Sequence, residues 1–546
     1  GRRSPHKEPL SSGLARGQEK SPREVREEAM CCSGAALVAL LALCGCAAHA
    51  APPLSGRAPE PLFETELGGA AGKTYTSSSA GERLVESLVK WDKSSAYADV
   101  TVIFDATARL QRIEGFGGAF TEASAINYNK LKAADRERVM EYYFGKSGLR
   151  YSLGRVPMNS CDFSPKSYSY DDNKGVPDPT LKNFDDTASV DVKNGIIPMI
   201  LDALNVGAGW GGPDLQLFGS PWSPPSWMKT NDHAMVGSDF PCLKEGMESV
   251  WADYFVRWIT AYRKQGINFW GMTAQNEPGF IDNTMWEACT FTAETQRDFI
   301  KNQLGPRLDE IGVKLIAYDD DKSQLKVWAD TILGDPDAAK YVWGMGLHWY
   351  AGDWTDNMAY VRDTFPNATL LATEGCTCIY DEVEYNTTWK RAQRYLHDII
   401  NDLNTGVVGW VDWNLILDDA GVLGTGGPNH AGNTCFAHVQ VLANGSLAVH
   451  DSFYAVAHVS HFVQRGSWVV SHALQKGPQG GVEGCVMEWE NGSIVAVFIN
   501  PGPTPMTVKV REVGWLNAIL LDVPAEGVVT VVLKTSAEGP VEQRVA

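Results

Sequence analysis

The sequence has few basic residues and no long apolar run, and each of these absences excludes a class of protein. Lys and Arg number 47 against 66 Asp and Glu in 546 residues, which gives a formal charge of −19. Proteins that hold a phosphate backbone normally carry a basic surface, so this balance argues against nucleic acid as a partner. The apolar run Gly34–Ala48 has 15 residues. About 20 are needed to cross a bilayer, so no transmembrane span is predicted.

Residues 1–50 are interpreted as a leader that precedes the fold. Residues 1–29 are polar, and the true start is expected at Met30. The apolar run ends in Ala48-His49-Ala50, an A-x-A cleavage pattern, which indicates a signal peptide. An anchored helix and lipidation within Leu43–Cys46 are the alternatives. A secretory route agrees with four glycosylation acceptors, Asn367, Asn386, Asn444 and Asn491.

Cysteine is sparse after the leader. The residues are Cys161, Cys242, Cys289, Cys376, Cys378, Cys435 and Cys485. This odd and widely spread set predicts neither a disulfide framework nor a zinc site, and at least one thiol is expected to stay free.

Short apolar runs alternate with amphipathic helical stretches between about Gly115 and Val463. This alternation predicts βα units, and eight of them predict an α/β fold with a closed (β/α)8 TIM barrel. Helical spacing is clearest in Glu137–Tyr143, Val250–Tyr262 and Trp389–Leu403. The predicted strands are Gly115–Phe120, Tyr151–Val156, Leu215–Gly219, Phe269–Ala274, Val313–Tyr318, Val342–His348, Thr369–Thr373 and Val407–Asp412.

Alternating apolar and polar residues flank the barrel on both sides, at Asp99–Phe104 and within Gly466–Leu533. They predict one accessory antiparallel β-sandwich built from both chain ends. The expected domains are a leader (1–50), a linker with N-terminal sandwich strands (51–112), the barrel (113–464), the C-terminal sandwich strands (465–535) and a loose tail (536–546).

Polar or aromatic side chains close or follow most of the predicted barrel strands. Because the C-terminal ends of the strands of such a barrel meet at one mouth, these side chains are expected to converge on one site. Fourteen of the 18 Trp lie between Trp210 and Trp413, which favours a cleft for flat, partly apolar ligands such as sugars, with a large core as the alternative. The side chains include Arg155, Trp222, Asn276, Glu277, Asp319, His348, Tyr350, Glu374, Asp412 and Trp413.

Two glutamates among these residues indicate the chemistry. Glu277 follows the fourth strand and Glu374 follows the seventh, across the mouth from it. Hydrolysis of a glycosidic bond needs such a carboxyl pair, one to protonate the leaving oxygen and one to attack or to activate water. Asn276, beside the first glutamate, is placed to bond the sugar 2-hydroxyl.

At this point the sequence resembles glycoside hydrolase family 30, and most closely its glucosylceramidase branch, from about residue 100 to 535. The resemblance implies a retaining β-glucosidase that acts on glucosylceramide-like glycolipids. Neither a cofactor nor a metal is implied. The matching stretches are Gly115–Ala119, Arg155–Met158, Ser160–Ser164, Ser220–Pro224, Thr273–Pro278, Gln296–Ile300, His348–Tyr350, Asp412–Asn414 and Gly426–Asn429.

The resemblance also implies a role for each matching residue. Glu277 corresponds to the acid/base and Glu374 to the nucleophile. The nucleophile-orienting network corresponds to Arg155, His348 and Tyr350, and Cys376 corresponds to a nearby thiol that is more often packing than chemistry. Glucose contacts correspond to Asp162, Trp222, Asn276 and Trp413, with Asn429 in a loop at the rim of the pocket.

The resemblance further implies an anionic-lipid surface and a small activator protein as partners, and a lysosomal or secreted location. The sequence departs from the animal relatives in two places. It lacks their Cys-rich N-terminal segment, and the loop Gly279–Cys289, which contains Trp286, differs beside the aglycone. A β-1,6-glucanase, a xylanase, a β-xylosidase and a non-catalytic carbohydrate- or lipid-binding barrel therefore stay as alternatives.

Overall fold

The computed structural model describes residues 70–534 apart from 94, 232–234, 238–239, 281–283, 379–386, 421–425, 478–480 and 516. The predicted leader with its signal peptide, the expected start at Met30, the tail 536–546 and the acceptor Asn386 lie outside these residues. The acceptors Asn367, Asn444 and Asn491 are exposed. Within the described part of the chain, no helix is long and apolar enough to cross a membrane.

The described chain begins with strands that precede the barrel. Apolar residues alternate with polar ones along the last of them, and Val100, Val102 and Phe104 are buried. The strands are β1 (Gly72–Ser78), β2 (Val85–Val89), β3 (Trp91–Lys93) and β4 (Val100–Arg112).

Eight parallel strands then close into a barrel, which confirms the predicted architecture. Each predicted run supplies one strand, and the runs are apolar because the barrel interior covers one face of each strand and helices cover the other. The strands are β5 (Gly115–Ala119), β6 (Leu153–Met158), β7 (Gln216–Pro221), β8 (Phe269–Thr273), β9 (Lys314–Asp321), β10 (Val342–His348), β11 (Thr369–Glu374) and β12 (Val407–Asn414).

Helices connect the barrel strands and include the three predicted stretches. Helix Met247–Lys264 buries an aromatic stripe, and Thr387 caps helix Thr388–Thr405 by accepting from the backbone N–H of Lys390 at 3.1 Å. The α-helices are Glu122–Lys130, Ala133–Phe144, Ser189–Asn194, Ile196–Gly209, Met247–Lys264, Ala293–Phe299, Gly305–Glu310, Leu325–Ile332, Pro336–Ala339, Thr355–Thr364, Thr388–Thr405 and Asp451–Ser460.

A second sheet combines strands from both ends of the chain, as predicted. Its order is β2-β1-β21-β18-β17-β16-β4-β19-β20-β3, and all its pairs are antiparallel except β19 with β4. Since only Lys90 separates β2 from β3, one segment reaches both edges of the sheet. The later strands are β13 (Ile416–Asp418), β14 (Val439–Val441), β15 (Leu447–Val449), β16 (Trp468–Lys476), β17 (Glu483–Glu488), β18 (Ile494–Asn500), β19 (Met506–Glu512), β20 (Asn517–Val523) and β21 (Gly527–Leu533); of these, β13–β15 form a separate small sheet.

The cysteine prediction was wrong in one respect. Disulfides join Cys242 to Cys289 and Cys378 to Cys435, whereas a free thiol is confirmed at Cys161, Cys376 and Cys485. The partners lie 47 and 57 residues apart in sequence and meet only because loops on neighbouring strands fold over the barrel mouth. No local spacing signals such a pairing.

Candidate active site

The two predicted glutamates meet at the C-terminal mouth of the barrel. Glu277 follows β8 and Glu374 ends β11, and His348 at the end of β10 lies with them. A carboxylate oxygen of each glutamate and a ring nitrogen of His348 all lie within 4.8 Å of one another. The side chain of Glu277 is 22% exposed and that of Glu374 is 7% exposed, so the first faces solvent more.

Backbone hydrogen bonds direct Glu277 into the mouth. Its N–H donates to the carbonyl of Asp319 at 2.9 Å, and the N–H of Asn276 donates to the carbonyl of Pro221 at 2.9 Å. Glu277 has a φ of 44°, a left-handed conformation that is uncommon for a residue other than glycine. Such conformations persist where surrounding contacts impose them, and they cluster at functional sites.

Arg155 is the charged centre of the site and has no exposed surface. Its guanidinium contacts Glu374, Asp319 at 2.8 Å, the side-chain carbonyl of Asn276 at 2.8 Å and the hydroxyl of Ser220 at 3.0 Å. Burial alone would lower the pKa of Arg155, but Asp319 and Glu374 outweigh burial and raise it. The guanidinium therefore stays charged and holds the carboxylate of Glu374 in place.

Asp319 is a member of this network that the sequence placed among the strand-end side chains without assigning it a role. It accepts hydrogen bonds from Ser220 and Thr373, both at 2.6 Å, as well as from Arg155. Burial would raise the pKa of Asp319, but Arg155 and His348 outweigh it and hold that pKa far below the usual range. Its position at the end of the fifth barrel strand was the available signal, because the other site residues occupy equivalent positions.

His348 and Tyr350 contact different glutamates. The hydroxyl of Tyr350 donates to Glu374 at 2.8 Å. His348 instead lies 3.1 Å from Asp319 and 3.4 Å from Glu277 through its two ring nitrogens. Burial opposes the charged form of His348, but Glu374 and Asp319 outweigh burial and raise its pKa well above the ordinary value. His348 therefore links Asp319 to Glu277.

An aromatic platform forms one wall of the pocket. The rings of Trp222 and Trp413 stack with centroids 5.1 Å apart, and the Arg155 guanidinium lies 4.8 Å and 5.3 Å from those centroids. Trp286 packs against the same apolar cluster. Flat apolar faces beside hydrogen-bonding groups suit a pyranose ring.

Asp162 is buried between Cys161 and Phe163, which pack in one apolar cluster with Trp222 and Trp413. Its Oδ2 accepts from the Asn433 side chain at 2.8 Å, and its buried Oδ1 has no hydrogen-bond partner within the described chain. Burial and the nearby Glu374 raise the pKa of Asp162 to about 8. A sugar hydroxyl would satisfy this oxygen.

The structure places Asn429 differently from a sugar contact. Among the residues that the structure describes, its side chain bonds only the backbone of its own loop, with the carbonyls of Gly426 and Asn433 as acceptors and the N–H groups of Gly432 and Asn433 as donors. The residue that the loop delivers to the pocket is Asn433, which sequence reasoning missed. Asn429 therefore shapes the loop that carries Asn433.

Sulfur atoms gather beside the nucleophile candidate. The Cys376 sulfur lies 3.6 Å from the Tyr350 hydroxyl and 3.7 Å from the Cys378 sulfur. Sulfurs of Cys376, Cys378 and Cys435 lie within 4.8 Å of one another, close enough to share a metal ion. Two of them are joined in a disulfide, which removes thiolates as ligands.

Comparisons with known proteins agree with this barrel. The family model of the glycosyl hydrolase family 30 TIM-barrel domain matches residues 113–463. The chain belongs to glycosyl hydrolase family 30 and is a glycoside hydrolase.

Three relatives illustrate the range of the family. The mouse lysosomal acid glucosylceramidase is 34% identical over 82% of this chain and 86% of its own length. An endo-1,6-β-D-glucanase from Neurospora crassa is 28% identical over 68% of this chain and 74% of its own. The crystal structure of SrfJ from Salmonella typhimurium is 29% identical, covers 85% of this chain and 99% of that chain, and superposes with a TM-score of 0.76.

Proposed function

We propose that this protein is a retaining β-glucosidase that hydrolyses glucosylceramide-like glycolipids by double displacement. The observation that carries the proposal is the carboxyl pair, whose oxygens approach within 4.8 Å. Retaining enzymes hold their carboxyl groups about 5–5.5 Å apart, whereas inverting enzymes leave about 6.5–9.5 Å for a water molecule. The close approach of these oxygens supports the retaining alternative.

The unequal surroundings of the two glutamates support their separate roles. Glu374 is held by Arg155 and by Tyr350, which fixes a carboxylate for attack on the anomeric carbon. Glu277 is more exposed and contacts only His348 among the charged site residues, so it can exchange a proton with the leaving oxygen and with water.

The reaction then takes two steps. Glu374 attacks the anomeric carbon while Glu277 donates its proton to the glycosidic oxygen, which departs with the aglycone as an alcohol. Glu277 next removes a proton from water, and the water oxygen displaces Glu374 to release the sugar. Two displacements at one carbon retain the β configuration.

Glucose recognition is assigned to the polar groups around the Trp222–Trp413 platform. Because Asn276 accepts from Arg155 through its carbonyl, its NH2 group is the part that donates to a sugar hydroxyl. Asp162 has an oxygen for another hydroxyl, and Asn433 lies against it.

The lipid aglycone rests on the similarity to the mouse glucosylceramidase and on an aromatic pair at the rim. Phe280 and Trp286 stack with centroids 5.8 Å apart and extend the apolar wall towards solvent. An anionic-lipid surface, a small activator protein and a lysosomal or secreted location complete the proposal.

The decisive test is the stereochemistry of the first product, followed by NMR with an aryl β-glucoside. β-Glucose is expected, and α-glucose as the first product would overturn the mechanism. Glu374→Gln should lose turnover by at least about 10³-fold with normal thermal unfolding. Glu277→Gln should keep activity on substrates with acidic leaving groups, and the exposed Glu310→Gln serves as the control.

The glucanase alternative is tested separately, because relatives of both kinds exist. Purified protein is offered glucosylceramide in vesicles with and without anionic lipid, β-1,6-glucan and xylan. Glucosylceramide cleavage that anionic lipid stimulates supports the proposal. Preferential cleavage of β-1,6-glucan would replace it.

A further inference from the structure

Three consecutive aspartates end the fifth barrel strand, and each holds a different part of the site. The Asp319 side chain contacts Arg155 and His348, as described above. The next two side chains reach in other directions, to the loop after β8 and to the loop after β10. These two loops carry Glu277 and Tyr350, and the hydroxyl of Tyr350 donates to Glu374.

The backbone at this point departs from a regular strand. Tyr318 and Asp319 have φ values of 70° and 66°, and the β9–β10 register shifts between the pairs Gly346–Tyr318 and Leu347–Asp320. Left-handed conformations at residues other than glycine are strained and persist where surrounding contacts impose them. Bulges of this kind redirect side chains and are frequent beside active sites.

Asp320 holds the turn that carries Glu277. Its Oδ2 accepts the N–H of Gly279 at 2.9 Å, and its Oδ1 accepts the N–H of Asp321 at 2.7 Å. A Cβ at Gly279 would lie 3.0 Å from Oδ2, so the turn packs closely on the carboxyl. Burial and the nearby Glu277 raise the pKa of Asp320 to about 8, as expected for neighbouring carboxyls.

Asp321 holds the turn that carries Tyr350. Its Oδ1 accepts the N–H of Ala351 at 2.9 Å, one residue after the tyrosine whose hydroxyl donates to Glu374. Asp320 thus contacts the backbone beside Glu277, and Asp321 contacts the backbone beside Tyr350, which bonds Glu374.

We propose that Asp320 is a positioning residue for Glu277 and that Asp321 is a positioning residue for Tyr350 and, through it, for Glu374. The proposal rests on the proposed function for the roles of the two glutamates. It predicts that loss of Asp320 impairs proton donation to the leaving group, whereas loss of Asp321 impairs nucleophilic attack, both in the formation of the glycosyl-enzyme.

Kinetics with a series of aryl β-glucosides whose leaving groups differ in acidity separate the two components. The quantity kcat/KM reports the step up to glycosyl-enzyme formation. Asp320→Ala should lower kcat/KM about 100-fold for the poorest leaving group and no more than about threefold for dinitrophenol, which departs without a proton. Asp321→Ala should lower all values by a similar factor, about tenfold or more.

Asp320→Asn adds an internal check. An amide has one acceptor oxygen where the carboxyl group has two, so one of the two backbone N–H groups would face an NH2 group. The loss for poor leaving groups should therefore be smaller than in Asp320→Ala. The exposed Asp309→Ala should match wild type throughout. Equal losses across the series for Asp320→Ala would overturn its assignment.

Amide hydrogen exchange tests the positioning without reference to activity. Exchange at Gly279 should accelerate at least about tenfold in Asp320→Ala and stay unchanged in Asp321→Ala, and the reverse should hold at Ala351. Unchanged exchange at both amides would overturn the proposal. If the wild-type chain cleaved no aryl β-glucoside, the proposed function would fail, and the exchange data would still decide whether the aspartates hold these turns.

Discussion

The carboxylate of Asp319 lies 2.8 Å from the guanidinium of Arg155, and neither side chain has any exposed surface. Buried charges are costly unless they are paired and hydrogen-bonded, and here Ser220, Thr373 and Asn276 supply further hydrogen bonds to the pair. The pair fixes both ends of the site, because Arg155 contacts Glu374 and His348 joins Asp319 to Glu277.

Asp319→Asn should therefore damage stability and activity together. It leaves Arg155 with a weaker partner in a buried site, and breaking such a pair costs about 3–5 kcal/mol of unfolding free energy. Urea unfolding and kcat/KM measure the two losses. Asp253→Asn breaks the exposed ion pair with Arg307 and should cost less than about 1 kcal/mol. Similar costs for the two variants would contradict the buried-pair account.

Asp162→Asn should stabilise the protein at neutral pH while it weakens catalysis. Burial and Glu374 raise the pKa of Asp162 to about 8, above the value near 4 of an unfolded chain. The native state therefore retains a proton that the unfolded state releases, and stability falls as the pH rises from about 4 to 8.

The stability gain of Asp162→Asn should be smallest below pH 4 and should grow up to pH 8, as read from denaturant midpoints. Its kcat/KM should fall about ten- to a hundredfold, because the amide does not reproduce the hydrogen bond of the carboxyl group to the sugar. Asp309→Asn provides the exposed control. A pH-independent stability difference would show that the pKa of Asp162 is not raised.

Loss of the Cys242–Cys289 disulfide should destabilise the barrel mouth. The bridge closes a loop of 47 residues, for which chain entropy predicts about 4 kcal/mol. Lys229 reinforces the same place, because its buried ammonium donates to the carbonyls of Met235 and Ala288, both at 2.8 Å. The Cys242→Ser/Cys289→Ser double variant should lower the unfolding temperature more than Cys485→Ala, and an equal shift would argue against a stabilising bridge.

His397 should make the attachment of sandwich to barrel depend on pH. Its ring contacts Asp353 at 2.9 Å and Glu483 of strand β17 at 2.8 Å, and these hydrogen bonds raise its pKa to about 10. Because the folded pKa exceeds the unfolded value near 6.5, the stabilisation is fully present below pH 6.5 and is lost as the pH rises towards 10.

The stability difference between wild type and His397→Ala should shrink over that range, as measured by urea unfolding at fixed salt. Asn404 also joins the barrel to the sandwich, by donating to the carbonyl of Gly484 at 3.0 Å. Asn404→Ala should destabilise by an amount that does not change with pH. If the stability difference between wild type and His397→Ala did not change with pH, the ion pairs of His397 would not be the cause of the stabilisation.

Local patterns were sufficient for the barrel strands and for the two glutamates. Strand β12 could be recognised because strands covered on both faces are continuous apolar runs. Glu277 and Glu374 could be selected because each directly follows such a run. Strand ends were less accurate at β9, which continues through Asp319 to Asp321 because backbone N–H donors from neighbouring loops satisfy the last two carboxyl groups.

Contacts across the mouth could not be read from the sequence. The resemblance pointed to Asn429 and gave no signal for Asn433, four residues later, because nothing in the chain shows which amide the loop turns inwards. Cys378 and Cys435 gave no spacing signal for their bridge.

The sequence by itself determined the eight-stranded barrel, the flanking sheet and the carboxyl pair, since periodicity and strand ends are local properties of the chain. Only the tertiary structure decided which groups contact one another. Arg155 contacts Glu374, His348 contacts Glu277, and the three aspartates that end one strand contact different partners. The physical reason is that pairing of buried charges depends on distances between loops that are remote in sequence.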